Sequence, residues 1–177
     1  MALMRRILLI CASATIVLST AAASAGAGGR SAPGFLVVRN AQGDGRIDGH
    51  PVVTLAVEGF VLGRVTQEAR IDVYHLGTAA GGGTPQASGP DVRHRGVRWR
   101  SFSGIEYSGS GFRFRAIGGA YRVVVRGSGV YLFAGGHGRI WLRGSTVYPL
   151  RDGRYSVDGA RFRSLPKQRL SLPMGGG

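Results

Sequence analysis

Between positions 112 and 143 apolar and polar residues alternate with period two, and glycines interrupt the alternation at intervals. The segments are Phe112-Arg113-Phe114-Arg115, Arg122-Val123-Val124-Val125-Arg126, Tyr131-Leu132-Phe133 and Arg139-Ile140-Trp141-Leu142-Arg143. Period-two alternation is the signature of strands with one face buried. One pattern, Arg-(Val/Ile)-x-(Val/Leu)-Arg-Gly-Ser, occurs twice, at 122–128 and at 139–145, an offset of 139 − 122 = 17 residues.

The glycines predict the turns, and the turns predict the registers. A two-residue hairpin at Gly118-Gly119 sets Phe114 opposite Val123 and Phe112 opposite Val125. A hairpin at Gly127-Ser128-Gly129 sets Val125 opposite Tyr131 and Val123 opposite Phe133. A third, over residues 135–138, sets Phe133 opposite Ile140 and Tyr131 opposite Leu142. Directly opposed residues share a face, so the expected core surface is Phe112, Phe114, Val123, Val125, Tyr131, Phe133, Ile140 and Leu142. The other face then carries Arg113, Arg115, Arg122, Arg126, Arg139 and Arg143 around a row of Val124, Leu132 and Trp141. It also places Arg115 opposite Arg122, a like-charge pair that salt or a bound anion would relieve.

Elsewhere the chain predicts strands over 35–39, over 52–62 with an interruption at Gly59, and over 70–76 with Ile71, Val73 and His75 on one face. Residues 77–90 are Gly, Ala, Ser and Pro without periodicity and predict a long loop. Asp152-Gly153 and Asp158-Gly159 are turn signals extending the meander through Tyr155 and Phe162. No helical periodicity is visible beyond the first residues, and 31 glycines disfavour helices. The fold class expected is all-β, a mostly antiparallel sandwich or partly open barrel. A short β-solenoid, with the two repeat copies stacked as neighbouring rungs, is the alternative.

The first 25 residues have the order of a secretory signal: Arg5-Arg6, an apolar run over 7–18, then Ala23-Ser24-Ala25. The run is short of the ~20 residues that span a bilayer. The expected organisation is a signal peptide at 1–25, a flexible leader at 26–34, one β domain at 35–164 containing the 77–90 loop, and a disordered tail at 165–177. Cys11 is the only cysteine and would leave with the signal. An exported chain without disulfides suggests a bacterial origin and an extracytoplasmic place, secreted or on the cell envelope. It also excludes a thiol nucleophile and a thiolate metal site.

Charge adds a candidate chemistry. After signal removal the net charge is (23 − 2) − 9 = +12, and Lys167 is the only lysine. Guanidinium forks suit phosphate, sulfate and carboxylate; GC-rich coding gives the same composition without any function. No nucleophile elbow and no phosphate-cradling glycine motif occurs. His50, His75, His94 and His137 lack metal-ligand spacing, and no cofactor is implied. The 135–138 glycine stretch resembles the start of a calcium-binding nonapeptide, but Ile140 stands where the aspartate is needed.

The candidate site is therefore Arg113, Arg115, Arg122, Arg126, Arg139, Trp141 and Arg143, arginines for anions and an indole for stacking on a ring. The plain alternative is a solvated sheet face whose arginine stems cover apolar neighbours. The expected role is a non-enzymatic exported protein binding an anionic polysaccharide, a phosphate polymer or lipid headgroups, with nucleic acid a less natural partner. The alternatives are a secreted hydrolase whose site the sequence does not reveal, and a structural, oligomerising envelope protein.

Overall fold

The computed structural model describes residues 32–43, 47–77, 82–145 and 153–176. The expected signal peptide and most of the leader lie outside these residues. Eleven strands form one open antiparallel sheet: β1 (Gly34–Ala41), β2 (Val53–Val65), β3 (Ala69–His75), β4 (Gln86–Ser88), β5 (Arg93–Trp99), β6 (Phe102–Gly109), β7 (Arg113–Gly127), β8 (Val130–Leu142), β9 (Arg154–Val157), β10 (Arg163–Ser164) and β11 (Leu170–Met174). The all-β, antiparallel expectation holds. Every pairing is antiparallel, so the repeat copies are not solenoid rungs.

The centre of the sheet is a ribbon of three long strands, β8-β2-β7. It cannot be flat. Val65 ends β2 and Ala69 begins β3, four residues later, so at most ~14 Å separates them. Yet Ala69 pairs with Gly127, two residues past Val125, whose partner is Val53 at the far end of β2. In a flat sheet that separation would be ~40 Å or more. The ribbon must fold back on itself, and it does so at a row of glycines. Gly59 of β2 sits directly between Gly119 of β7 and Gly136 of β8. Gly59 has φ 152 and Gly136 φ 138, values that favour glycine. A Cβ on Gly59 would run into the Gly135 carbonyl oxygen.

The fold line divides the sheet into two leaves. The first holds β10, β9, β1 and β4 with the 130–135, 60–65 and 113–117 portions of the ribbon. The second holds β5, β6, β3 and β11 with the 138–142, 53–58 and 120–127 portions. One core lies between them. Leu36, Val61, Phe112 and Leu132 come from the first leaf, and Leu55, Ile71, Val123 and Ile140 from the second, in a single buried cluster. Tyr107 of the second leaf closes it by donating a hydrogen bond to the Pro85 carbonyl beside β4, at 2.5 Å.

Three expected hairpins are corrected. Gly118-Gly119 is not a turn, because β7 runs through it; instead Gly118, with φ 71, is the extra residue of a bulge against β2. Gly127-Ser128-Gly129 is not a hairpin but a crossing between leaves, since β7 and β8 lie on opposite sides of β2. Residues 135–138 are not a turn, because β8 is continuous. Tyr131 and Phe133 therefore face outward, each 40% exposed, while Leu132 is 3% exposed in the core. The other six expected core residues, Phe112, Phe114, Val123, Val125, Ile140 and Leu142, are buried.

The repeat finds its meaning here. Arg122 and Arg139 share the partner Ala56, Val123 and Ile140 share Leu55, Val124 and Trp141 share Thr54, and Val125 and Leu142 share Val53. The copies flank β2 in the same register. Gly118-Gly119 and Gly135-Gly136 stand at the same offset of 17, so the repeat also carries the fold line. Two further segments differ from expectation. Residues 165–177 are not a structureless tail, because they contain β11, which pairs with the 138–142 end of β8. The 77–90 loop contains β4.

Truncation should separate neighbouring residues of β8. Leu132→Ala is expected to lower stability by about 2–5 kcal/mol and Phe133→Ala by under about 1 kcal/mol, read from urea midpoints; the reverse ranking would restore the hairpin register. Gly59→Val should cost at least about 2 kcal/mol from strain and overlap together. Gly96→Val in β5, where an added Cβ meets nothing within 4 Å, should be nearly silent in the same assay.

Candidate functional site

The fold line splits the expected arginine face. Arg113 and Arg115 lie outside the first leaf, and Arg122, Arg126, Arg139, Trp141 and Arg143 outside or at the end of the second. Arg115 does not oppose Arg122: its partners are Leu62 and Gln86, and its Nε and Nη2 donate to Gln86 Oε1 at 3.0 and 2.6 Å. Arg139 is exposed beside Ala56. Leu132, expected in the outer row, is in the core, whereas Val124 is outward and still covered, at 4% exposure.

Arg126 belongs to an ion-pair chain that alternates in sign across three strands and β7. Arg95 Nε meets Glu106 Oε1 at 2.9 Å, and Arg70 Nη2 meets Glu106 Oε2 at 2.6 Å. Arg70 Nε meets Asp72 Oδ1 at 3.2 Å, and Arg126 Nη1 meets Asp72 Oδ2 at 2.7 Å. Register explains the chain: Arg95 pairs with Glu106 and Glu106 with Asp72, so both carboxylates stand in one row between the arginines. The Asp72 and Glu106 side chains are only 4% and 6% exposed. Each is held by two guanidiniums, which is what an ionised buried carboxylate requires. The hydrogen bond to Glu106, followed by its charge, holds Arg95 above the ordinary arginine range.

Arg122 lies one row further along β7 and has no such carboxylate. Its guanidinium stacks over Trp99 at 4.3 Å, and Trp99 in turn stacks on Phe102 with ring centres 5.7 Å apart. Its Nε is buried without a hydrogen-bond partner. Burial depresses its pKa, and the charges of Arg169, Arg100 and Arg126 press in the same direction, against a smaller opposing pull from Tyr74 than the burial itself exerts. It remains a cation at neutral pH, held at a cost.

Beside Arg122 is a cavity of about 230 Å³ lined by His50, Pro51, Thr54, Arg122, Trp141, Leu142, Arg143 and Arg169. Three guanidiniums, an imidazole and an indole converge there, and among the described residues no carboxylate lines it. Thr54 and Trp141 are direct cross-strand partners, which sets the indole as one wall. The Arg169 guanidinium lies over the Trp141 ring at 5.6 Å. The volume falls below the ~300–1,000 Å³ of pockets for drug-sized ligands and suits one charged group with a small appendage.

Of the seven residues expected from sequence, Arg122, Trp141 and Arg143 come together here. Arg126 is neutralised by Asp72, Arg139 stands outside the cavity, and Arg113 and Arg115 are on the other leaf. The sequence reading missed Arg169, His50 and the Trp99–Arg100 pair. A signal for Arg169 was present: Leu170, Leu172 and Met174 alternate with Ser171 and Pro173, the pattern of an edge strand that tolerates proline. His75, expected on one strand face with Ile71 and Val73, is half-buried with its ring 5.2 Å from Tyr121. Among the described residues, no group of three His, Cys, Asp or Glu side chains converges as metal ligands.

Comparison with known proteins finds no protein family, no curated protein and no solved structure that matches this chain.

The two kinds of arginine should respond oppositely to mutation. Asp72→Ala leaves Arg70 and Arg126 short of a buried partner and should cost about 3 kcal/mol, the lower end of such losses because both guanidiniums are about a quarter exposed. Arg122→Met removes a desolvated cation and should leave the thermal midpoint unchanged or raise it. A large destabilisation by Arg122→Met would mean that Arg122 serves packing rather than a site.

Proposed function

We propose that the protein is a non-enzymatic binding protein for anionic polymers, taking a phosphate- or sulfate-bearing sugar unit into the Arg122–Arg143–Arg169 cavity. The observation that carries this reading is Arg122: a half-buried arginine whose Nε is buried without a partner, beside a cavity where the described residues add two more guanidiniums and no carboxylate. Holding that arginine desolvated is costly, and an anion in the cavity would offset the cost by pairing with the part of the guanidinium that lines it. Charge-assisted bonds from Arg122, Arg143 and Arg169 would hold the anionic group, and the Trp141 face would pack against the adjoining ring. A binding role is favoured over hydrolysis because Asp72 and Glu106, the buried carboxylates, are each committed to two arginines. An extracytoplasmic location, on the outside or envelope of a bacterial cell, is part of the same proposal and rests on the signal-like order of residues 1–25.

Titration with a sulfated polysaccharide and with polyphosphate, followed by indole fluorescence, tests the site. Affinity should fall steeply with salt as condensed counterions are released. Arg122→Ser with Arg169→Ser should weaken binding by about tenfold or more, the scale of one lost charge-assisted bond. Arg113→Ser with Arg115→Ser removes the same charge from the other leaf and should change affinity by under about threefold. Equal losses from both pairs would reduce the effect to net charge and overturn the reading.

A further inference from the structure

The outer face of the first leaf is apolar at its centre. Phe35, Ile117 and Phe133 are 42%, 49% and 40% exposed, and Leu62 is 37% exposed. They are neighbours by register: Phe133 stands between Val37 and Leu62, and Phe60 stands between Gly135 and Ile117. The Phe133 ring stacks with Phe35 at 6.0 Å and meets Phe60 edge-on at 5.3 Å. Single exposed apolar residues are ordinary, but a phenylalanine that meets two others, Phe35 and Phe60, beside a leucine and an isoleucine forms a patch of the kind that marks an interaction surface.

The rim of this patch is mainly cationic; at one end the Asp158 carboxylate accepts a hydrogen bond from Phe35 N at 2.7 Å. Arg39 opposes Arg154 on one side, and Arg64 opposes Arg113 on the other, with Tyr131 between them opposite Arg64. All five ion pairs among the described residues lie on the second leaf or run from it to Asp48, so none of the described carboxylates pairs with these arginines. A groove of about 670 Å³ continues from Phe35 and Val37 to Arg39, Arg154, Arg161 and Phe162. The Arg39 guanidinium lies over the Phe162 ring at 4.3 Å. Aromatic surface and guanidiniums without a carboxylate partner among the described residues thus share one open face.

We infer that this face docks on an anionic lipid surface. The phenylalanines enter the interfacial layer, Tyr131 sits at its border, and the rim arginines pair with headgroup phosphates. The Arg39–Arg154–Arg161 groove accommodates one headgroup beside the rings. A second copy of the chain fits poorly, because self-docking would press two arginine rims together. The inference does not rest on the cavity of the second leaf, which faces away.

Sedimentation of the full chain with vesicles tests it, comparing phosphatidylcholine alone with a mixture containing about a third phosphatidylglycerol. The apolar run at 7–18 is common to every chain compared, so differences report on the sheet face. Wild type should bind the anionic vesicles at least about tenfold more tightly than the neutral ones. Phe35→Ser with Phe133→Ser should weaken that binding by about tenfold or more, with the urea midpoint nearly unchanged because both rings are exposed. Arg39→Ser with Arg154→Ser should cost a similar factor and flatten the salt dependence. Arg122→Ser with Arg169→Ser should leave vesicle binding intact, which separates this surface from the cavity. Binding by the phenylalanine variant equal to wild type would overturn the inference. So would a concentration-dependent dimer that Phe133→Ser abolishes, since the occupant would then be a second copy.

Discussion

The row of glycines across β7, β2 and β8 is the constraint on which the rest of the fold depends. A three-stranded ribbon long enough to serve two leaves must turn back without losing its ladder, because an unpaired buried backbone group is costly. Side chains on the crowded inside of such a bend would meet the neighbouring backbone, as a Cβ on Gly59 would meet Gly135. Placing glycine in all three strands at one level removes the obstacle while the pairings continue on both sides. The leaves then face one another with a core filled from both, and the short loops at 66–68 and 128–129 suffice to carry the chain between them.

The same constraint accounts for the 17-residue repeat. β7 and β8 run parallel to each other on the two sides of one antiparallel strand, so each position of β2 imposes the same demand on both neighbours. Beside Gly59 both need glycine; beside Leu55 and Val53 both need an apolar residue for the core; beside Ala56 both carry arginine outward. Nothing in the pattern requires the copies to touch.

This explains which parts of the fold were legible in the sequence. Period-two alternation correctly gave the strand class and most of the core. It gave the wrong registers because a one-residue bulge and a two-residue turn both exchange the inner and outer faces, so Phe114 and Val123 are core residues under either interpretation of Gly118-Gly119. The misread crossing at Gly127-Ser128-Gly129 turned Tyr131 and Phe133 inward, and the supposed turn at 135–138 turned the chain back, so Ile140 and Leu142 came out right through two cancelling errors. The candidate site suffered more. A surface read from local alternation cannot show that Arg113 and Arg122, nine residues apart on one strand, belong to different leaves. Nor can it show that Asp72 neutralises Arg126, a pairing made by the neighbouring strand β3, or that β11 delivers Arg169 to Trp141.

Charge is distributed between the leaves in a way that net composition hides. On the second leaf three arginines hold two buried carboxylates in one row, and beyond that row Arg122, Arg143 and Arg169 line a cavity with no carboxylate among the described residues. On the first leaf the arginines are all peripheral and the centre is aromatic. Because every ribbon strand crosses the fold line, each contributes to both surfaces: β7 carries Ile117 and Arg122, β8 carries Phe133 and Trp141, and β2 carries Phe60 and Thr54. The two outer faces are thereby held back to back by continuous backbone rather than by a linker. Under the two proposals taken together, a chain lying with its phenylalanines on a lipid surface would present the arginine cavity to the opposite side, where a polymer could reach it without competing for the same cations. A single arginine-rich face could not make that separation, since headgroups and polymer would exchange for one another at it. The glycine row thus ties the chemistry to the fold: it keeps two groups of arginines apart, one around an apolar patch and one around a cavity, on opposite sides of a common core.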